Sequence, residues 1–149
     1  MAIPSKQKQM IGKATKPQKF EVEKGQVRRF AAAIGEENPI HLDEKAAKAA
    51  GYSGLVAPPT FIAALSAVDP LLEEVGLDPQ GTMHAEEEYE YFRPICSGDE
   101  ISVVHRITDV YDKQAPTGRL LFVVIETRGT DRRGRPVCKG RRVLVELKN

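Results

Sequence analysis

Tryptophan is absent from this 149-residue chain, and four tyrosines and five phenylalanines are the only large aromatic side chains, so the core must be built mainly from aliphatic residues. Cysteine occurs only twice, as Cys96 and Cys138, without ligand-type spacing. That excludes a disulfide scaffold and suits reduced thiols in a cytoplasmic protein. There is no excess of charge of either sign. Lysine and arginine number 22 against 21 acids, interspersed along the chain for a net charge of +1. Neither nucleic acid nor an anionic membrane finds its electrostatic footprint here. No apolar run approaches the roughly 20 residues of a membrane-spanning helix. The stretch Met1–Phe20 carries Lys6, Lys8, Lys13, Lys16 and Lys19 and lacks an apolar core of signal-peptide length. A glycine-rich phosphate loop, a nucleotide fingerprint and a lipidation motif are all missing.

What is present suits one domain spanning 1–149, with 1–19 expected as a loosely packed N-terminal segment. The first half reads as helical. Val22, Val27, Phe30, Ala31 and Ile34 recur at helical intervals up to Gly35, which supplies the stop. Asp43 can cap a second short helix that Gly51 ends. From Phe61 to Val68 nearly every residue is apolar, the pattern of a helix enclosed by other structure. Pro58-Pro59-Thr60 stands at its start, and Asp69-Pro70 ends or kinks it before a further turn, Leu71 to Val75, runs into Gly76.

The second half reads as strands over Thr82–Arg93, Glu100–Tyr111, Arg119–Arg128 and Pro136–Lys148, with turns at 97–99, 115–118 and 131–134. Their spacing predicts an antiparallel meander. A period of two places Met83, Tyr89 and Tyr91 on one side of the first strand. Helices followed by strands indicate an α+β domain. One central helix wrapped by a curled antiparallel sheet is the hot-dog arrangement.

The segment Gly35-Glu36-Glu37-Asn38-Pro39-Ile40-His41 carries the chemistry. On an ideal helix of about 3.6 residues per turn, positions 36 and 41 would point roughly 140° apart, so the pair converges only if the backbone breaks between them. Pro39 makes that break, lacking an N–H and pushing Asn38 out of the α region. A carboxylate and an imidazole so placed can polarise one water. Each alone is more often a solvated helix-end acid or a loop histidine. Glu37 is a rival carboxylate. His84 and His105, within strands, read as structural histidines. Arg93, Arg132, Arg133, Arg141 and Arg142 read as solvated surface or as contacts for a phosphate-bearing carrier. Ser66 reads as a packing residue, and no convergent metal-ligand set is evident.

Three blocks resemble the MaoC-like family of (R)-specific enoyl-thioester hydratases and 3-hydroxyacyl dehydratases: 35–43, beginning Gly35-Glu36, then Ala57-Pro58-Pro59-Thr60-Phe61, then Tyr91-Phe92-Arg93-Pro94 before Gly98-Asp99. The later two are similar to the N-terminal MaoC-type dehydratase branch, which includes subunits of mycobacterial-type hydroxyacyl dehydratases and has catalytic and non-catalytic members. The resemblance runs from about Phe20 onward.

The resemblance implies reversible addition of water to a trans-2-enoyl thioester, giving the (3R)-3-hydroxyacyl thioester by metal-free acid/base catalysis without a cofactor. The substrate would be carried on coenzyme A or an acyl-carrier protein, in fatty acid metabolism. In the family pattern Asp-x-Asn-Pro-x-His, Glu36 falls at the aspartate, His41 at the histidine, and Asn38 braces the turn. Glutamate in place of aspartate is the departure, moving the carboxylate by roughly an ångström, a displacement able to cost about a hundredfold in rate. Backbone amides at the start of the central helix face the thioester oxygen in the family. Pro58 and Pro59 have none, so Thr60 or Phe61 must donate. The resemblance also implies a dimer, either of two copies or with a related hot-dog subunit, without nucleic acid or membrane. The alternatives are a non-catalytic acyl-binding subunit of a heterodimeric dehydratase and a hot-dog thioesterase.

Overall fold

Alternation of buried and exposed residues in the second half of the chain builds the sheet on which everything else is placed. The computed structural model describes residues 5–65 and 68–148. Its strands are β1 (Gln18–Glu21), β2 (Thr82–Tyr91), β3 (Glu100–Ala115), β4 (Gly118–Thr130) and β5 (Pro136–Lys148), all antiparallel, in the order β1-β3-β4-β5-β2. The helices are α1 (Ser5–Lys8), α2 (Lys24–Ala33), α3 (Glu44–Ala49), α4 (Phe61–Leu65) and α5 (Asp69–Val75). The fold is the α+β hot-dog arrangement: α4 and α5 pack on one face of the sheet.

The helices end where glycine permits. Gly35, Gly51 and Gly76 all have positive φ, a conformation costly for residues with a Cβ. Asp43 caps α3 by accepting from Lys45 N at 2.9 Å. The core lies in two parts on the inner face. Beneath α5, Val68, Leu71 and Val75 meet Ile107, Val123, Ile125 and Leu144. Beneath α4, Phe61 and Ile62 meet Val27, Ile101, Val103 and Val137. Full burial of each aliphatic side chain contributes about 1.5–3 kcal/mol before entropy is counted.

Several sequence expectations need correction. The four long strands are not a simple meander: β3, β4 and β5 are, but β2 crosses over to pair with β5 rather than β3. The short β1, paired with β3, was not foreseen, because four residues are too few to show a period. A bulge between His84 and Glu86 breaks the alternation of β2. Met83 therefore faces outward, 60% exposed, while Tyr89 and Tyr91 stay half-buried. The β3–β4 turn narrows to Pro116-Thr117, since pairing continues to Ala115 and Gly118.

The segment before β1 is not loosely packed in its described part. Met10 is buried, Gly12 N–H donates to Ile107 O, Thr15 N–H to His105 O, and Ile107 N–H to Lys13 O. These bonds occupy part of the free edge of β3. Of the expected helix Phe61–Val68, residues 61–65 form α4, Val68 precedes α5, and Ser66 lies outside the described residues. Nor is α4 enclosed on all sides: Ala64 is exposed, and Phe20, Gln26, Arg29, Phe30, Phe61 and Leu65 border an open groove beside it.

Candidate active site

The loop between α2 and α3 is organised by its own polar side chains. Glu36 Oε1 accepts from the backbone N–H of Glu37 and of Asn38, each at 3.0 Å. Asn38 Oδ1 then accepts from Ile40 N at 3.2 Å and caps the 3-10 turn Pro39–His41. Capping by a side-chain oxygen contributes about 1 kcal/mol per site. Glu36 thus bends the chain that carries it and keeps Oε2 clear of these bonds. Glu37 is exposed and supplies an amide to this turn.

His41 is buried, and its Nδ1 lies 2.6 Å from Val56 O. A carbonyl oxygen can only accept, so Nδ1 carries a proton, and in the neutral imidazole Nε2 carries the lone pair. Among the described residues Nε2 has no hydrogen-bond partner. Val56 holds the turn a second time, its N–H donating to Ile40 O at 2.9 Å. Val56 in turn forms a bridge with Cys96, flanked by Ala57 N to Ile95 O and Ser97 N to Leu55 O, both 2.8 Å.

This bracing depends on Gly54 and Ser97. A Cβ on Gly54 would fall 2.5 Å from Ser97 Oγ and 2.7 Å from Ser97 O. Ser97 Oγ also accepts from Leu55 N at 2.9 Å. The 93–99 loop is stiffened by Asp99, whose Oδ2 accepts from Arg93 Nη1 at 2.7 Å and from Cys96 N at 2.9 Å. The parts that Val56, Ser97 and Gly54 play here escaped sequence reasoning, because a carbonyl's role and a close approach of two segments leave no mark on spacing.

The two expected thioester-oxygen donors differ in what their N–H groups do. Phe61 N–H donates to Pro58 O at 2.9 Å and is spent inside the turn, which corrects the expectation for Phe61. Thr60 is exposed, and its N–H has no acceptor among the described residues. Glu36, Asn38 and His41 therefore share one loop, and Thr60 stands four residues beyond the carbonyl that holds His41. Glu36 and His41 make no hydrogen bond to each other in the chain.

The other polar residues pair among themselves. Glu87 meets His84 Nε2 at 2.5 Å and Arg142 Nε at 2.8 Å. Burial works to raise the Glu87 carboxyl, but hydrogen bonds from Arg142 and Tyr89 outweigh it and hold it low. His105 Nδ1 lies 2.8 Å from Thr127 Oγ1, and burial pushes this imidazole down to about 4. Arg93, Arg132 and Arg141 are paired with Asp99, Glu100 and Glu86. Cys96 and Cys138 are buried free thiols. Among the described residues no cluster of three or more His, Cys, Asp or Glu is arranged to hold a metal, and no helix is long and apolar enough to cross a membrane.

Residues 9–140 match the family described as the FAS1-like dehydratase domain region. The chain belongs to this family. A UPF0336 protein of Saccharopolyspora erythraea is 38% identical over 130 residues, covering 85% of this chain and 81% of the relative. Among solved structures, the C-terminally truncated HadBC (3R-hydroxyacyl-ACP dehydratase) complex of Mycobacterium tuberculosis superposes with a TM-score of 0.80 at 25% identity, covering 91% of this chain and 96% of that one. A MaoC-like dehydratase superposes with a TM-score of 0.83 at 26% identity, covering 95% of this chain and 43% of that longer one. The resemblance drawn from the three sequence blocks is thus shown at the level of family and fold. At that level the chain stands with the dehydratases.

Proposed function

We propose that this protein interconverts trans-2-enoyl and (3R)-3-hydroxyacyl thioesters, with Glu36 and His41 as the acid/base pair. The observation that carries the reading is the Nδ1–H bond of His41 to Val56 O, which leaves Nε2 as a base with an open lone pair on the loop that also carries the Glu36 carboxylate. In the hydration direction a water shared by Glu36 Oε2 and His41 Nε2 gives its hydroxyl to C3. The proton taken from it returns to C2, so that the elements of one water are added. Negative charge gathering on the thioester oxygen meets the Thr60 N–H. No metal or cofactor enters this scheme, and the carrier is coenzyme A or an acyl-carrier protein.

The second reading, an acyl-binding subunit beside a related catalytic hot-dog subunit, is favoured by the edge of the sheet. β2 is a ten-residue strand with an open edge, the kind of edge that invites pairing. Glu86, Glu88 and Glu90 alternate along its outer face, and among the described residues only Glu86 has an arginine, Arg141, at 2.7 Å. Across a two-fold axis near the strand's middle, directly opposite residues share a face. Two copies would then set glutamate against glutamate, a destabilising arrangement. A related subunit with lysine or arginine on its edge strand fits better, and the HadBC structure is a complex of different subunits.

One assay separates the readings. Crotonyl-CoA hydration, followed as loss of the conjugated enoyl-thioester absorption in the ultraviolet, should proceed with the chain alone if it is the enzyme, and should fail in His41→Ala. Activity that arises only after addition of a partner with an intact Asp-x-Asn-Pro-x-His motif, and is indifferent to His41→Ala, would assign catalysis to the partner.

A further inference from the structure

We propose that Tyr91 is a positioning residue for this reaction: its phenol holds the Pro59 carbonyl and so aims the Thr60 N–H, the other end of the same peptide group, at the thioester oxygen. The inference rests on the hydratase reading above and adds the group that prepares its oxyanion donor.

The Tyr91 hydroxyl donates to Pro59 O, joining the end of β2 to the turn before α4. No peptide bond in the described chain is cis, so the Pro59–Thr60 group is planar and trans, and its C=O and N–H point in opposite directions. Fixing the carbonyl fixes the amide. The neighbouring amides are unavailable, because Pro58 and Pro59 have no N–H and Phe61 N–H is bonded to Pro58 O. Within residues 58–61 the Thr60 N–H is the one amide without an acceptor among the described residues, and it is the one whose peptide is held from behind.

Tyr91 is suited to hold it. The residue pairs with Cys138 across the β2–β5 ladder, and its ring packs with Tyr89 at a centroid distance of 6.1 Å. The phenol is therefore presented from a strand rather than from a mobile loop. Burial, with smaller contributions from Cys138, Tyr89 and Glu87, raises its pKa and keeps it a donor. A hydrogen bond accepted at an amide carbonyl polarises the group and strengthens its N–H as a donor. A tyrosine that merely stapled β2 to α4 would help the fold hold together but would leave a bound substrate's carbonyl unchanged.

The test reads that carbonyl directly. The background is His41→Ala, which removes turnover, in the assembly in which the chain is purified. Crotonyl-CoA labelled with carbon-13 at the thioester carbonyl is bound, and its stretching band is recorded by infrared difference spectroscopy. The expected result is a band lowered from its position in water. Adding Tyr91→Phe, which keeps the ring, should remove most of the lowering without abolishing binding. Thr60→Pro, which deletes the N–H itself, should reproduce the loss. With His41 intact, Tyr91→Phe should lower kcat by about tenfold while KM changes much less. An undiminished shift in Tyr91→Phe overturns the role of Tyr91 alone, and one in Thr60→Pro overturns the Thr60 donor together with the role of Tyr91. Failure of the His41→Ala parent to bind enoyl-CoA at all overturns the hydratase reading, and this role with it.

Discussion

His41 and His105 are both buried, and both bring Nδ1 within hydrogen-bond distance of an oxygen, yet their surroundings differ. His41 sits on a loop, and its partner is the carbonyl of Val56, which can only accept. Its tautomer is fixed and a lone pair is left open. His105 sits in the middle of β3, and its partner is the Thr127 hydroxyl, which can donate or accept. Burial makes its charged form costly, so it serves the fold as a neutral polar group. Burial alone does not mark a catalytic histidine. The kind of oxygen on Nδ1, and what faces Nε2, decide.

The largest expected effect breaks the pair apart by activity. His41→Ala should lower the rate of enoyl-CoA hydration by about 10²–10⁴-fold, the range for loss of a positioned acid/base group. His105→Gln should alter the same rate only a few-fold while lowering the melting temperature. Equal losses from both variants would erase the distinction.

The second test sharpens the contrast through pH. The ordinary value for histidine is 6.5, and His105 is pushed down to about 4 in the folded state. Below pH 6.5 the unfolded chain takes up a proton that the folded chain refuses. The contribution of this group to stability is therefore fully present above about 6.5 and is lost as pH falls towards 4. The loss is roughly 3 kcal/mol at its upper limit. Urea unfolding at a series of pH values should show this slope, and His105→Gln should flatten it.

A smaller effect is expected from the brace behind His41. Gly54→Ala would drive a methyl group into Ser97 and separate the 54–57 and 95–97 segments, at a cost of about 1–3 kcal/mol. Because Val56 O moves with that segment, hydration should fall more than the shift in melting temperature explains. The smallest change in stability belongs to Glu36→Gln. The amide oxygen can still accept from Glu37 N and Asn38 N, so unfolding should change by less than about 0.5 kcal/mol. The carboxylate is gone, so hydration should nevertheless drop by about tenfold or more. A variant that stays fully active would reduce Glu36 to a capping residue.

Much of this was legible in the sequence, and the rest was hidden for physical reasons. The ends of α2, α3 and α5 were readable because Gly35, Gly51 and Gly76 permit a backbone that other residues resist. β5, Pro136–Lys148, was readable because the turn at 131–134 precedes it and Val137, Val143 and Val145 are strand-forming residues. The place of β2 beside β5 was not, because strand order is set by packing on the inner face rather than by neighbourhood in the chain. The bulge at His84–Glu86 was likewise invisible and moved Met83 to the wrong face. At the site, Glu36, Asn38 and His41 stood out through their spacing around Pro39. Their partners did not: Val56 acts through a backbone carbonyl, and Tyr91 was noticed only for its side of the strand and as part of a block of residues.

The claim on which the rest depends is that the fold holds His41 with its proton on Nδ1 and its lone pair on Nε2. Long-range proton–nitrogen NMR of the labelled protein reads the two ring nitrogens of a neutral imidazole separately. The account predicts a protonated Nδ1 and an unprotonated Nε2 for His41, a pattern that Gly54→Ala should blur by displacing Val56. A proton found on Nε2, with Nδ1 bare, would contradict it.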